Sequence, residues 1–227
     1  DAKHRLGAPP APHAQLVRQR PAVNQLQDRV EKVVRASNKQ LAGNSLKTKS
    51  VVFTMLRTLC LVLHGGLDEH LAQLFQSVKK SADDRNQALK LDALGFAHAA
   101  LELHDPSVLQ SHIDSILPFV VKMVNEEWYK IVAEALRVLG VITTVIRPVD
   151  PYTDMFVGSY DYSKHVDVLY NSILPKLEAH DVDQEIKEAA ITAMGQVLAR
   201  LGTSLGDRIN TVYQLLMDRL GNDVTRM

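Results

Sequence analysis

Ser115-Ile116-Leu117-Pro118 recurs as Ser172-Ile173-Leu174-Pro175, and in each copy a lysine, Lys130 or Lys187, stands twelve positions beyond the proline. Behind each lysine runs an apolar stripe of helical period. One supersecondary unit repeated in this way cannot bury its apolar face alone, so it must stack on copies of itself. The repeat therefore points to a row of helical hairpins. Such a row rarely encloses an active site; its usual product is a long curved surface that holds other proteins.

The rest of the chain obeys the same pattern. Val23, Leu26, Val30, Val33 and Val34 mark a first helix, and Val52, Met55, Leu56, Leu59, Cys60 and Leu63 its partner. Asn44 or Ser45 can cap that partner, and Gly65-Gly66 ends it. The second hairpin pairs Leu67, Leu71, Leu74, Phe75 and Val78 with a helix over about Asn86 to His104 that is apolar on two faces, as an inner helix of a stack is. In the third, Ile113, Ile116, Leu117, Val120 and Val121 face Val132, Ala135, Leu136, Leu139, Ile142 and Ile146. The fourth sets Val166, Leu169, Tyr170, Ile173 and Leu177 against Ile186, Ala189, Ala190, Ala193, Met194, Val197, Leu198 and Leu201. Val141-Ile142-Thr143-Thr144-Val145-Ile146 reads as a strand by propensity, but it continues the helical stripe and is assigned to helix. Pro118 and Pro175 fall inside first helices, where each bends its hairpin.

Second helices begin near Lys47, Lys90, Lys130 and Lys187. The first two intervals match the roughly 40 to 47 residues of HEAT-type repeats. The third is longer because of an insert rich in Pro, Asp and Tyr. The expected fold is all-α: an α-solenoid of HEAT-type hairpins, wound as a right-handed α-α superhelix. Residues 1–22 read as a flexible tail rich in Pro, Ala and Arg. The array covers 23–64, 66–104, 106–146 and 164–202, with an insert loop at 147–163 and a partial repeat at 207–227. Ile209, Val212, Tyr213, Leu216 and Leu220 mark that last first helix, and its partner helix is expected to begin within Asn222–Met227, where the sequence stops.

Composition narrows the function. Lys plus Arg is 26 and Asp plus Glu is 26, so the basic excess of a nucleic-acid groove is missing. No apolar run approaches the ~20 residues that span a bilayer. The single cysteine, Cys60, lies on an apolar stripe and reads as an inert buried thiol. The nine histidines are scattered. His64, Asp68, Glu69 and His70 form the best cluster and read as a solvated junction, and His98 reads as a satisfied core histidine. Asp181, Asp183 and Glu185 suit the start of the following helix, where its dipole favours negative charge. No catalytic residue, metal or cofactor is expected. The insert carries Asp150, Tyr152, Asp154, Phe156, Tyr160, Asp161 and Tyr162. Tyrosines on a loop can anchor a partner; the plainer expectation is that they pack back on the flanking hairpins. Taken alone, these features leave open a ligase regulator, a nuclear transport receptor and a phosphatase scaffold. A DNA-acting repeat enzyme is disfavoured by the zero net charge.

Three segments carry a more specific resemblance: Val145-Ile146-Arg147-Pro148-Val149-Asp150; Asp183-Gln184-Glu185-Ile186-Lys187-Glu188 with Ala193-Met194-Gly195-Gln196; and Asn222-Asp223-Val224-Thr225-Arg226. With Lys90-Leu91-Asp92-Ala93-Leu94 and Trp128-Tyr129-Lys130-Ile131, they make residues 45–227 resemble the middle of the cullin-associated, neddylation-dissociated protein family. The resemblance implies a piece of a much longer HEAT-repeat protein without enzyme activity. Its expected partner is a cullin–RING ubiquitin ligase core, cullin and RING subunit together, lacking the ubiquitin-like modifier. The full protein would exchange substrate receptors on the ligase, in cytoplasm and nucleus. No nucleic acid, membrane or small-molecule substrate is implied. In HEAT stacks second helices line the concave side, so the candidate partner-binding residues are Lys47, Arg57, Lys130, Glu134, Arg137, Glu188, Gln196 and Arg200.

Overall fold

The computed structural model describes residues 21–223. The tail read over residues 1–22 lies outside them except at Pro21 and Ala22, which open the first helix, and Val224–Met227 of the family-like C-terminal motif lie outside as well. The described residues form α1 (Pro21–Gln27), α2 (Val30–Leu41), α3 (Leu46–Leu63), α4 (Leu71–Ala82), α5 (Gln87–Leu103), the short α6 (Pro106–Leu109), α7 (Ile113–Met123), α8 (Tyr129–Ile146), α9 (Ser163–Glu178), α10 (Gln184–Leu201) and α11 (Arg208–Asp223). Among them there is no strand, only one isolated antiparallel bridge between Val149 and Phe156. The hairpins α2/α3, α4/α5, α7/α8 and α9/α10 stack in chain order, and α11 packs on the last of them. The fold is an α-solenoid.

Three of the four second helices start on polar caps, which satisfy backbone N–H groups that have no partner within the helix. Ser45 accepts from the Thr48 amide at 3.3 Å, Asn86 from Leu89 at 2.9 Å and Asp183 from Glu185 at 2.9 Å. Only α8 lacks such a cap among these four; Trp128 stands at its start. First helices α4 and α7 instead continue out of 3-10 turns at Asp68–His70 and Gln110–His112.

Two local readings are resolved by packing. The β-branched run Val141–Ile146 stays helical because Ile142, Val145 and Ile146 are buried, and Thr143 returns its hydroxyl to the Leu139 carbonyl at 2.9 Å. By contrast, the apolar series from Val23 to Val34 is not one helix. It breaks at Asp28 and Arg29 into α1 and α2, and Gln27 at the break donates to the Gly66 carbonyl at 2.9 Å. Gly66 is required there: a Cβ would lie 2.2 Å from the Gln27 Oε1 and 2.7 Å from the Leu63 Cβ. Pro118 and Pro175 do sit inside α7 and α9, both on the exposed side, so each helix forgoes one hydrogen bond where solvent can replace it.

The core runs unbroken through the stack. Phe53 of α3 and Phe96 of α5 meet with ring centroids 6.1 Å apart. Helices α3, α5, α8 and α10 lie side by side, each against the next, and α8 meets α10 through small residues. A Cβ built on Gly140 of α8 would stand 3.5 Å from the Ala193 Cα of α10, an ordinary van der Waals distance.

The sequence pattern treats Leu136 and Leu198 as equivalent core positions, but Leu136 is fully buried and Leu198 only partly. Leu136→Ala should cost about 2 to 5 kcal/mol, and Leu198→Ala clearly less, by urea denaturation. Gly140→Ala should be neutral or stabilising by up to ~1 kcal/mol, because the added methyl finds room and alanine loses less freedom in a helix. A large loss at Gly140→Ala would mean that the α8–α10 approach is tighter than described.

Candidate protein-binding face

Stacking brings the polar edges of four second helices into one open groove of about 610 Å³. Its walls include Thr54 and Arg57 of α3, Asp92 and His98 of α5, Lys130, Glu134 and Arg137 of α8, and Glu185 of α10. The positions are set by how the helices pack. His98 lies past the middle of α5 and Glu134 in the second turn of α8, and the two meet where the helices run side by side, while Arg137 follows Glu134 by one turn.

A continuous ion-pair chain crosses the groove. The Nδ1 of His98 lies 2.7 Å from the Glu134 Oε1. Arg137 donates from Nη1 to the other Glu134 oxygen at 3.1 Å and from Nη2 to Glu185 at 2.8 Å. Glu134 is mostly buried, with its side chain 16% exposed. Burial pushes its carboxyl upward, but hydrogen bonds and charge from His98 and Arg137 outweigh that and hold it below the usual range. Burial opposes the Arg137 charge, and its two carboxylate partners more than restore it. The chain therefore carries fixed charges from α8 to α10, with His98 of α5 hydrogen-bonded at its end, while Arg57 and Lys130 present exposed cations beside it. The Lys130 ammonium also stands 5.8 Å from the Trp128 ring centroid and 5.9 Å from that of Tyr129.

Of the eight candidates, Arg57, Lys130, Glu134 and Arg137 line this groove. Lys47 is exposed in the first turn of α3, outside it. Glu188 accepts from Gln184 at 3.2 Å on the exposed side of α10. Gln196 is half-buried and lies near Gly140. Arg200 is engaged in packing: its Nη1 donates to the Arg147 carbonyl at 3.3 Å. Thr54, Asp92, His98 and Glu185 complete its polar lining and stand outside the sequence-derived set. His98 is not a core residue as the sequence suggested: α5 turns it to the rim, 25% exposed, toward Glu134. Glu185 lies in the first turn of α10 and also reaches Arg137.

Other chemistry-bearing groups sit apart. Cys60 is fully buried, and desolvation pushes its thiol up to about 12, so it stays protonated. His104 is buried and held neutral by desolvation, with Nδ1 on the Ala100 carbonyl at 2.8 Å. Among the described residues no group of three or more His, Cys, Asp or Glu could hold a metal ion, and no helix is long and apolar enough to cross a membrane.

Stacked hairpins with a mixed-charge groove along their second helices make this an α-solenoid repeat protein. Solved structures of the same shape agree: a designed armadillo repeat protein aligns with a TM-score of 0.58 over 91% of this chain and 99% of its own, at 12% identity. An engineered protein aligns with a TM-score of 0.60 over 83% of this chain and 68% of its own, also at 12% identity. The sequence is more specific than the shape. Residues 65–194 match the family model described as CAND1-like, TPR repeats, and the chain belongs to that family. It is 36% identical over 204 residues to the cullin-associated NEDD8-dissociated protein 1 of Arabidopsis thaliana, covering 89% of this chain. It is 36% identical over 197 residues to the Drosophila melanogaster protein of the same name and 32% identical over 207 residues to cullin-associated NEDD8-dissociated protein 2 of Mus musculus. The chain spans 16% of the length of each of these relatives.

Neutralising Glu134 tests the ion-pair chain. Glu134→Gln should destabilise the protein by about 1 to 3 kcal/mol near neutral pH, since it leaves His98 and Arg137 without their shared charge. A carboxyl whose folded pKa is lowered stabilises above its unfolded pKa and loses that contribution as pH falls through the folded value. The difference between the wild type and Glu134→Gln should therefore hold above about pH 5 and shrink in more acidic solution, starting near the usual glutamate pKa of about 4.3. Denaturation midpoints across pH 3 to 7 read it directly; a pH-independent gap would assign the loss to packing.

Proposed function

We propose that this chain is a cullin-binding scaffold segment, and that the groove along the second helices is where it meets the cullin. In the full protein it would serve a factor that exchanges substrate receptors on cullin–RING ligases lacking the ubiquitin-like modifier. It contributes by binding and not by catalysis. One observation carries the reading: Arg57 and Lys130 stand exposed beside a carboxylate–arginine chain fixed by the fold, in a member of a family whose named proteins are cullin-associated. Prearranged charge of both signs favours a mixed-charge protein surface, raises the association rate and fixes register. It gives little to a nucleic-acid backbone, which needs a cationic excess.

Because Arg137 and Arg200 hold the fold together, the informative substitutions are at the two exposed cations. Arg57→Glu with Lys130→Glu should slow association with a purified, unmodified cullin–RING core about tenfold or more at low salt, and should flatten the salt dependence. Thermal stability should be nearly unchanged. Association rates equal to the wild type at low salt would remove the groove from the interface.

A further inference from the structure

The insert between α8 and α9 is a built projection. The Asp150 amide donates to the Met155 carbonyl at 2.8 Å, the Asp154 amide to the Asp150 carbonyl at 2.9 Å and the Val157 amide to the Pro148 carbonyl at 3.0 Å. Asp150 Oδ1 takes the amides of Tyr152 and Thr153 at 2.8 and 2.9 Å, which closes the tip. Asp154 occupies the left-handed region, with φ 58°. The base is clamped at two points. The Arg147 guanidinium lies 3.8 Å from the Phe156 ring centroid and 4.9 Å from that of Tyr162 while donating to the Arg200 carbonyl and to Thr203. At the other end Tyr160 stacks on His165, with its hydroxyl 2.9 Å from Nε2.

What this rigid loop displays is apolar. Tyr152 is 77% exposed and Met155 66%, and Phe156 and Val157 are about half exposed beside them. Asp150, half-exposed, and Asp154, exposed, belong to the same turn, the exposed Asp161 lies further along at the start of α9, and no lysine or arginine falls between residues 148 and 163. A water-facing cluster of this kind is costly unless something covers it, and a preorganised tyrosine–methionine tip loses little entropy on docking.

We propose that the 148–157 projection is a second docking element, whose Tyr152 and Met155 enter an apolar pocket rimmed by lysine or arginine on the protein held by the array. The partner follows from charge: Asp150 and Asp154 flank Tyr152 and Met155, and the nearest cation, Arg147, lies against Phe156 at the base with its donors taken by the Arg200 carbonyl and Thr203, so the socket that fits the tip is apolar within and cationic at the edge. This rests on the reading of the chain as a cullin-binding scaffold, and the projection adds a contact independent of the groove. Tyr152 and Met155 provide the buried anchor, which governs how long the complex lasts. Asp154 provides the steering charge, which governs how fast it forms.

The test is interferometry of the whole chain against an unmodified cullin–RING core at low and moderate salt. Tyr152→Ala with Met155→Ala should speed dissociation about tenfold or more with little change in association. Asp154→Asn keeps the left-handed turn, which asparagine also favours, and should slow association and reduce its salt dependence. Hydrogen exchange of the amides at Asp150, Asp154 and Val157 should match the wild type in both variants, showing the projection still formed. If both variants bind as the wild type while the Arg57→Glu, Lys130→Glu protein does not, the projection is not a docking element and the groove reading stands. If the groove variant binds normally and the tip variants fail, the projection stands and the groove reading falls. A wild-type chain with no affinity for the core overturns both.

Discussion

The close approach of the second helices is the constraint on which the rest of this molecule depends. Helices α8 and α10 meet through Gly140 and Ala193, and α5 contributes Ala93, Ala97 and Ala100 to its buried surfaces. Small side chains at the seam let the backbones come near, and nearness brings the polar residues at the edge of each helix within hydrogen-bonding reach across repeats. The His98–Glu134–Arg137–Glu185 chain follows from this. It is half sheltered, so its charges interact more strongly than they would in open water. Seam residues larger than alanine would part the helices and break the chain without touching any member of it.

The other helices of the hairpins are joined differently. Asp83 pairs with Lys122 at 2.7 Å, Asp114 with Lys164 at 2.6 Å and Asp167 with Arg208 at 2.8 Å, each linking one repeat to the next. Most of these groups are well exposed, and exposed ion pairs stabilise little. Their regular placement on successive first helices suits a role in register, opposing hairpins that slip along the stack. Where the regular spacing fails, after α8, the link is stronger. Arg147 and Arg200 donate to each other's carbonyls and bind the ends of α8 and α10 together.

The chain covers 16% of its relatives' length, and the groove proposed as its docking face is built from neighbouring repeats. In a solenoid each repeat touches only its neighbours, so surfaces are local and survive in a segment that keeps three or four repeats. The groove is lined by residues of α3 to α10, and the projection at 148–157 lies within a single connection between repeats. Receptor exchange is a different kind of property, since it would need contacts spread over the longer protein.

The sequence by itself determined the fold class, because apolar spacing of helical period and the paired Ser-Ile-Leu-Pro segments admit no other economical burial. It also held the family, through short motifs such as Val145–Asp150 and Asp183–Glu188. Half of the groove was legible too: Arg57, Lys130, Glu134 and Arg137 lie on the polar side of their own helices, and periodicity shows that side. Periodicity says nothing about how one helix is turned against the next. His98 on the apolar-rich α5 therefore read as core and Arg200 as free surface, whereas the tertiary structure set His98 on the rim and locked Arg200 against Arg147. The break at Asp28 and Arg29 and the rigid tip of the insert were likewise decided in three dimensions, by a glutamine reaching a turn 39 residues away and by a guanidinium held against two rings. Local pattern fixes which face of a helix is buried; only the packed neighbours fix what the other face meets.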